Sequence, residues 1–207
     1  MTAILSGEKI LVTGATGQIG LPLAMFLAED NEVWAAARFT DEGARRQLEQ
    51  AGIKPHRCDL GSDLNGLPSD FTYVVHLAAA IAGTDYDAAI RVNGEGTGLL
   101  LQHCRRAKAA LVMSTHSVYK PHDDPWHVFS ESDPLGDVNA AFSPTYSVSK
   151  QGEEAVARFC ARAFDLPVVI ARMNASYGPQ GGLPAYHLDA VAAGDPVTTR
   201  WDPCLYS

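Results

Sequence analysis

Residues 9–20, KILVTGATGQIG, constrain this chain's fold more than any other stretch. Ile10, Leu11 and Val12 form an apolar run long enough for one buried strand. The run breaks into Gly14, Gly17 and Gly20, and a helical pattern then resumes, with Leu23, Phe26 and Leu27 on one face. Strand, glycine turn and helix in that order make a phosphate cradle. The turn lets backbone approach a pyrophosphate, and the helix start offers unpaired N–H groups and a partial positive charge. The spacing is G-x-x-G-x-x-G rather than G-x-G-x-x-G, so the flanking strand and helix carry the reading more than the glycines do.

Further apolar runs follow at intervals that leave room for helices. Residues 32–37 read as a second strand, 53–58 as a third, 71–77 as a fourth, 110–114 as a fifth and 167–172 as a sixth. Pro55 places the third near a sheet edge. Residues 41–50, 86–108 and 143–164 read as the intervening helices. Gly94, Gly96 and Gly98 inside the second of these predict close packing or a kink, because each costs about 1 kcal/mol relative to Ala in a helix. Asn93 beside them is expected to point inward. This alternation predicts an α/β, Rossmann-type doubly wound parallel sheet with helices on both faces.

The totals exclude several function classes. A net charge of −8 argues against a nucleic-acid partner. No apolar run spans a bilayer and no signal-peptide pattern is visible, so no membrane role is expected. Cys58, Cys104, Cys160 and Cys204 are far apart, which suits reduced thiols in a cytoplasmic protein. Residues 121–141, the longest irregular stretch, hold His122, Asp123, Asp124 and His127. None sits on an ordered element, so the expectation is a substrate-facing loop and no metal.

Particular residues point to chemistry. The second strand ends at Arg38, where an acid would accept the ribose hydroxyls of NAD and an arginine favours the extra phosphate of NADP. Arg45 or Arg46 is placed to assist. Asp59, after the third strand, can reach an adenine. Ala78, Ala79 and Ala80, after the fourth, let backbone pass close to a ligand, and His76 is expected to be a packed strand-end histidine. Tyr146 and Lys150 lie four apart and share a helix face. An ammonium beside a phenol favours the phenolate, so Lys150 is expected to lower the pKa of Tyr146.

These features resemble the extended short-chain dehydrogenase/reductase family, the NAD(P)-dependent epimerase/dehydratase group. The resemblance rests on Thr13-Gly14-Ala15-Thr16-Gly17-Gln18-Ile19-Gly20, Cys58-Asp59-Leu60, His76-Leu77-Ala78-Ala79, Ser114-Thr115-His116-Ser117-Val118-Tyr119, Tyr146-Ser147-Val148-Ser149-Lys150 and Arg172-Met173-Asn174-Ala175-Ser176-Tyr177-Gly178-Pro179. It implies hydride transfer at a carbinol or carbonyl carbon of a nucleotide sugar or similar polyol, by an epimerase or a reductase. A cofactor-binding sensor or scaffold without turnover is the rival expectation. Tyr146 would be the general acid/base, Lys150 would hold the nicotinamide ribose, and Thr115 would bond the reacting oxygen. Gly14, Thr16, Gly17, Gln18, Ile19, Arg38, Asp59, Leu60, Leu77, Ala78 and Ala79 would contact the cofactor, NADP with NAD possible. His116, Ser117 and Asn174, with Thr115, would face the substrate.

Dehydratases of that family carry Asp-Glu after the threonine. His116-Ser117 stand here instead, which counts against sugar dehydration. The resemblance also implies a homodimer built on helices 86–108 and 143–164, with Gly94, Gly96 and Gly98 allowing close approach. It divides the chain into a cofactor domain at 1–180 and, at 181–207, the start of a substrate lobe that is expected to be truncated.

Overall fold

The computed structural model describes residues 5–124, 126–136, 143–178 and 181–197. Six parallel strands form one sheet in the order β3-β2-β1-β4-β5-β6. They are β1 (Lys9–Thr13), β2 (Glu32–Ala37), β3 (Lys54–Arg57), β4 (Tyr73–His76), β5 (Ala109–Thr115) and β6 (Val168–Met173). The order steps outward from β1 in one direction and from β4 in the other. The switch between them opens a crevice at the strands' C-terminal ends, where doubly wound sheets bind ligands.

β1 shows why the sheet is central. Ile10 and Val12 join one apolar cluster with Ala24, Val33 and Leu48. Leu11, between them, joins a second cluster with Leu100, Leu101, Val112 and Leu166. Alternate side chains therefore feed cores on opposite faces, and all three are fully buried. Each such burial is worth roughly 1.5–3 kcal/mol. β3 is an edge strand, which suits the missing N–H of Pro55.

Helices α1 (Gly20–Leu27) and α2 (Glu42–Gln50) follow β1 and β2. The buried residues of α1 are Gly20 and Ala24, whereas Phe26 is 60% exposed. A Cβ on Gly20 would lie 2.2 Å from the Gly14 carbonyl oxygen, so the helix rides too close to the turn for a large inner side chain.

The expected helix over 86–108 is three pieces. α3 (Tyr86–Ile90) begins under a cap in which Asp85 accepts from the Ala88 N–H; a π-helical turn (Arg91–Glu95) follows, and then α4 (Gly96–His103). The glycines serve contacts within the chain. A Cβ on Gly96 would lie 2.7 Å from the Leu60 carbonyl oxygen, and one on Gly98 would lie 2.9 Å from Val156 Cγ1.

A short 3-10 turn (His116–Val118) leaves β5. α5 (Tyr146–Phe164) starts three residues after Ser143, and α6 (Leu183–Ala193) follows β6. Residues 1–4, 125, 137–142, 179–180 and 198–207 lie outside the described residues. With them go Cys204, part of the expected loop, the proline of the last motif, and most of the segment after α6. Among the described residues, no helix is long and apolar enough to cross a membrane, and no group of three metal-ligating side chains comes together.

Candidate active site

The crevice is a cleft of about 560 Å³. One end is built from backbone. Gly14 has φ +66°, and a Cβ there would sit 2.8 Å from the Ala78 nitrogen, so the glycine turn and the strand after β4 touch main chain to main chain. Thr13 Oγ1 ties them, accepting from the N–H groups of Leu77 (3.1 Å) and Ala78 (3.2 Å). No side chain caps the start of α1, an arrangement that suits an anion. Gly14, Thr16, Gly17, Gln18 and Ile19 all line the cleft, as do Leu60, Leu77, Ala78 and Ala79.

Arg38 stands at the far end of this cradle. It is exposed, lines the cleft and forms no ion pair among the described residues. The next residue, Phe39, is buried in a left-handed conformation (φ +47°), which turns the chain sharply after the arginine. Arg45 does not join it. Its guanidinium pairs with Glu49 on α2 at 3.1 Å, and neither Arg45 nor Arg46 lines the cleft. Asp59 does line it, with its carboxylate also accepting from the Gly61 N–H (3.2 Å).

The other end is built from side chains. Thr115, Tyr146 and Lys150 line the same cleft. The end of β5 delivers Thr115, whose hydroxyl bonds the Tyr146 phenol. Lys150 is buried and donates to the Met113 carbonyl at 2.7 Å. It also forms an ion pair with Glu153, one helical turn on.

This second pairing corrects an expectation. The Tyr146 phenol is held above its ordinary value, chiefly by burial. The Thr115 bond works against that rise and the Glu153 carboxylate adds to it. Lys150 does not lower it in the chain alone, because its charge is directed to Glu153. Burial pushes Lys150 down, opposed first by the charge of Glu153.

Of the expected substrate contacts, Thr115 and Asn174 line the cleft, whereas His116 and Ser117 do not. His116 packs edge-on against Phe129 and beside Tyr119, with ring centroids 4.7 and 5.3 Å away. The Ser117 N–H donates to Thr115 Oγ1 (3.2 Å) and its carbonyl accepts from Ser147 (2.7 Å). In the loop, His127 bonds Asp133 at 3.0 Å and stacks on His122.

Asn93 points inward as expected. It accepts from the Ala80 N–H (2.7 Å) and donates to the Ala80 carbonyl (3.0 Å) and Ser149 Oγ (2.8 Å). His76 is fully buried between Thr13 and Thr97, and burial pushes it down to about 3, so it is neutral.

Two carboxylates escaped the sequence reading. Glu153 and Glu154 are both buried on α5. Glu154 accepts from Ser114 Oγ (2.6 Å) and, through both oxygens, from the Arg172 guanidinium (2.9 and 2.8 Å). The signal available was spacing, since Glu153 lies seven residues after Tyr146 and so returns to its helix face.

Comparison with known proteins agrees with this geometry. The NAD dependent epimerase/dehydratase family model matches residues 10–199. A probable dTDP-glucose 4,6-dehydratase of Sinorhizobium fredii is 32% identical over 196 residues, covering 83% of this chain and 54% of that protein. A D-erythronate dehydrogenase of Cupriavidus necator is 32% identical over 111 residues, 47% of this chain and 34% of that protein. Among solved structures, a UDP-glucuronic acid 4-epimerase from Bacillus cereus, in complex with UDP-glucuronic acid and NAD, superposes with a TM-score of 0.78 at 27% identity. The match covers 94% of this chain and 66% of that one. The chain spans about half the length of the first curated relatives it matches. With a family model aligned to nearly its whole length and the sheet, glycine turn and cleft in their matching order, the chain belongs to the NAD-dependent epimerase/dehydratase family.

Proposed function

We propose that this chain carries the dinucleotide-binding and acid–base half of an enzyme that moves hydride at a carbinol or carbonyl carbon of a nucleotide sugar or similar polyol. The observation that carries the reading is the convergence of Thr115, Tyr146 and Lys150 on the cleft that the glycine turn opens. The residues fit a dinucleotide. Gly14 and Gly20 leave room that a Cβ would fill, the start of α1 lacks a side-chain cap, and a cation stands at the far end. When bound, a nicotinamide dinucleotide supplies the hydride acceptor and donor.

The chain's own residues then handle the proton. Thr115 holds the substrate oxygen beside Tyr146. The Tyr146 phenolate takes the hydroxyl proton as the carbinol is oxidised and returns it on reduction. Lys150 holds the nicotinamide ribose and the Tyr146 side chain in one frame. Asn174 contacts substrate from the β6 side, and Asp59 contacts adenine. In this reading residues 1–180 are the cofactor domain, and 181–207 begin the substrate lobe. The Bacillus cereus protein is a UDP-glucuronic acid 4-epimerase and the Sinorhizobium protein a probable dehydratase. His116-Ser117 after Thr115 favours epimerisation or reduction here over dehydration.

The decisive test is Tyr146→Phe in the full gene product, assayed against UDP- and dTDP-linked sugars and free polyols. Turnover is expected to fall by at least about a hundredfold, the low end of general acid–base contributions, with cofactor affinity unchanged. Near-normal turnover refutes the mechanism.

Arg38 favours NADP(H) over NAD(H), and calorimetric titration of both reduced cofactors decides it. Equal or tighter binding of NADH, or an Arg38→Ala change that leaves NADPH affinity intact, defeats the preference. A homodimer belongs to the same reading, supported by exposed Leu99, Val148 and Phe159 on α4 and α5. Light scattering at micromolar concentration with cofactor checks it. Cys58, Cys104 and Cys160 are all free thiols, which supports a cytoplasmic location.

A further inference from the structure

Glu153 is a carboxyl group with no exposed surface, in the wall behind the acid–base residues. One oxygen pairs with Lys150. The other lies 3.6 Å from His76 Nε2 and 3.4 Å from Thr97 Oγ1. The protons on those two neighbours can be assigned. Thr13 Oγ1 already accepts two backbone N–H groups, so its own proton goes to His76 Nδ1 at 2.6 Å. His76 Nε2 then carries the ring proton and donates it to Thr97 Oγ1 at 2.7 Å. Thr97 in turn gives its single proton to the Asn93 carbonyl at 2.6 Å. Thr97 reaches Glu153 only by the longer contact at 3.4 Å, and His76 brings no charge.

The other groups around the carboxyl are few. On α5 they are Tyr146 and Glu154, the latter held by Arg172 of β6. Asn93 of the π turn and Thr97 of α4 are uncharged, and β5 contributes the Met113 carbonyl that Lys150 already holds. Lys150 is therefore the cation to which Glu153 answers.

We infer that Glu153 is the positioning residue of the acid–base site, a buried counter-ion that keeps Lys150 charged and fixed between the Met113 carbonyl and the cleft, and so sets how much of the lysine's charge reaches Tyr146 and the cofactor ribose. The inference rests on the function proposed above for Lys150. Burial pushes the Glu153 carboxyl up to about 7 even against the lysine's pull. Near neutral pH the counter-ion thus switches. Ionised, it absorbs the lysine's charge and raises the Tyr146 phenol; protonated, it releases that charge towards the phenol.

The test is a carbon-13 NMR pH titration of the labelled Lys150 ε-carbon, run beside NADPH binding by fluorescence, in the wild-type chain and in Glu153→Gln. In the wild type the ε-carbon should show two inflections, one near neutrality as Glu153 ionises and one alkaline. In Glu153→Gln the neutral inflection should vanish and the alkaline one should move down by about one pH unit, because the opposing charge is gone. The alkaline fall-off of NADPH affinity should move with it. A folded variant whose Lys150 titrates as in the wild type, or whose affinity loss does not depend on pH, overturns the inference and leaves Glu153 a structural residue. If the variant does not fold, the wild-type titration decides: a single alkaline inflection at Lys150 overturns it. If neither protein binds a nicotinamide dinucleotide, the proposed function fails while the lysine titration still judges Glu153.

Discussion

Glu153 and Glu154 are neighbours on one helix, both buried and each beside a cation, yet they are held in opposite directions. Burial pushes Glu153 up to about 7. Burial also pushes Glu154 up, but the Arg172 guanidinium and the Ser114 hydroxyl outweigh it and hold the carboxyl below its ordinary value. The difference lies in the partners. Arg172 offers a planar fork that meets both carboxylate oxygens, and Ser114 adds a third bond. Lys150 is a point charge that is itself buried and shared with a backbone carbonyl. Glu154 is therefore a fixed charge joining α5 to β5 and β6, while Glu153 is a charge that can be given up.

The comparison predicts unequal costs. Arg172→Met removes the guanidinium fork that satisfies both oxygens of a buried carboxylate and leaves Ser114 as its remaining hydrogen-bond donor, and should cost about 3–5 kcal/mol, the usual penalty for halving a buried pair. Lys150→Met should cost less, about 1–2 kcal/mol, because Glu153 can protonate at neutral pH and then lacks only a hydrogen-bond partner. Urea unfolding of both variants at neutral pH checks the order. Equal costs, or a larger one for Lys150→Met, break the comparison.

A smaller effect separates the two by pH. The native value of Glu154 is depressed, so its contribution to stability is present above its unfolded value of 4.5 and lost as pH falls through the native value. The native value of Glu153 is raised, so its contribution is fully present below 4.5 and lost as pH rises towards about 7. Melting temperatures of the wild type against Glu154→Gln and Glu153→Gln should therefore diverge with opposite slopes in those two windows. Slopes of the same sign would count against the assignment. A cost no larger than that of Lys150→Met is expected from Ser114→Ala, which removes one of the three bonds to Glu154 and should cost about 1–2 kcal/mol by the same unfolding assay. A cost near that of Arg172→Met would mean that the hydroxyl, not the guanidinium, fixes the charge.

What the sequence disclosed was whatever depends on near neighbours. The turn over residues 14–20 is written in closely spaced glycines, and the parallel pairing follows from alternating strand and helix. Tyr146 and Lys150 share a face by spacing alone. What it withheld depends on distance through space. Phe26 fits the helical period of α1, but Gly20 and Ala24 take the inner face because the helix lies almost on the Gly14 carbonyl. His116 and Ser117 follow Thr115 directly in the 3-10 turn, yet only Thr115 of the three lines the cleft. Glu154 finds Arg172 from a different element, and Glu153 meets His76 across the core. No local pattern announces a contact of that kind.

The π-helical turn at Arg91–Glu95 makes the helix a counting device. It holds one residue more than an α-helical turn, so everything before it is rotated by about 100° against everything after it. Asn93, inside the turn, faces Ala80 and Ser149, and Thr97, just past it, meets His76, while α3 and α4 on either side both pack on α5. Losing one residue from the turn would leave a regular helix of nearly the same length, and would let only one of α3 and α4 keep its present face towards α5. The arrangement behind the cleft is thus stored as an integer, a residue count, which a deletion corrupts and most substitutions do not.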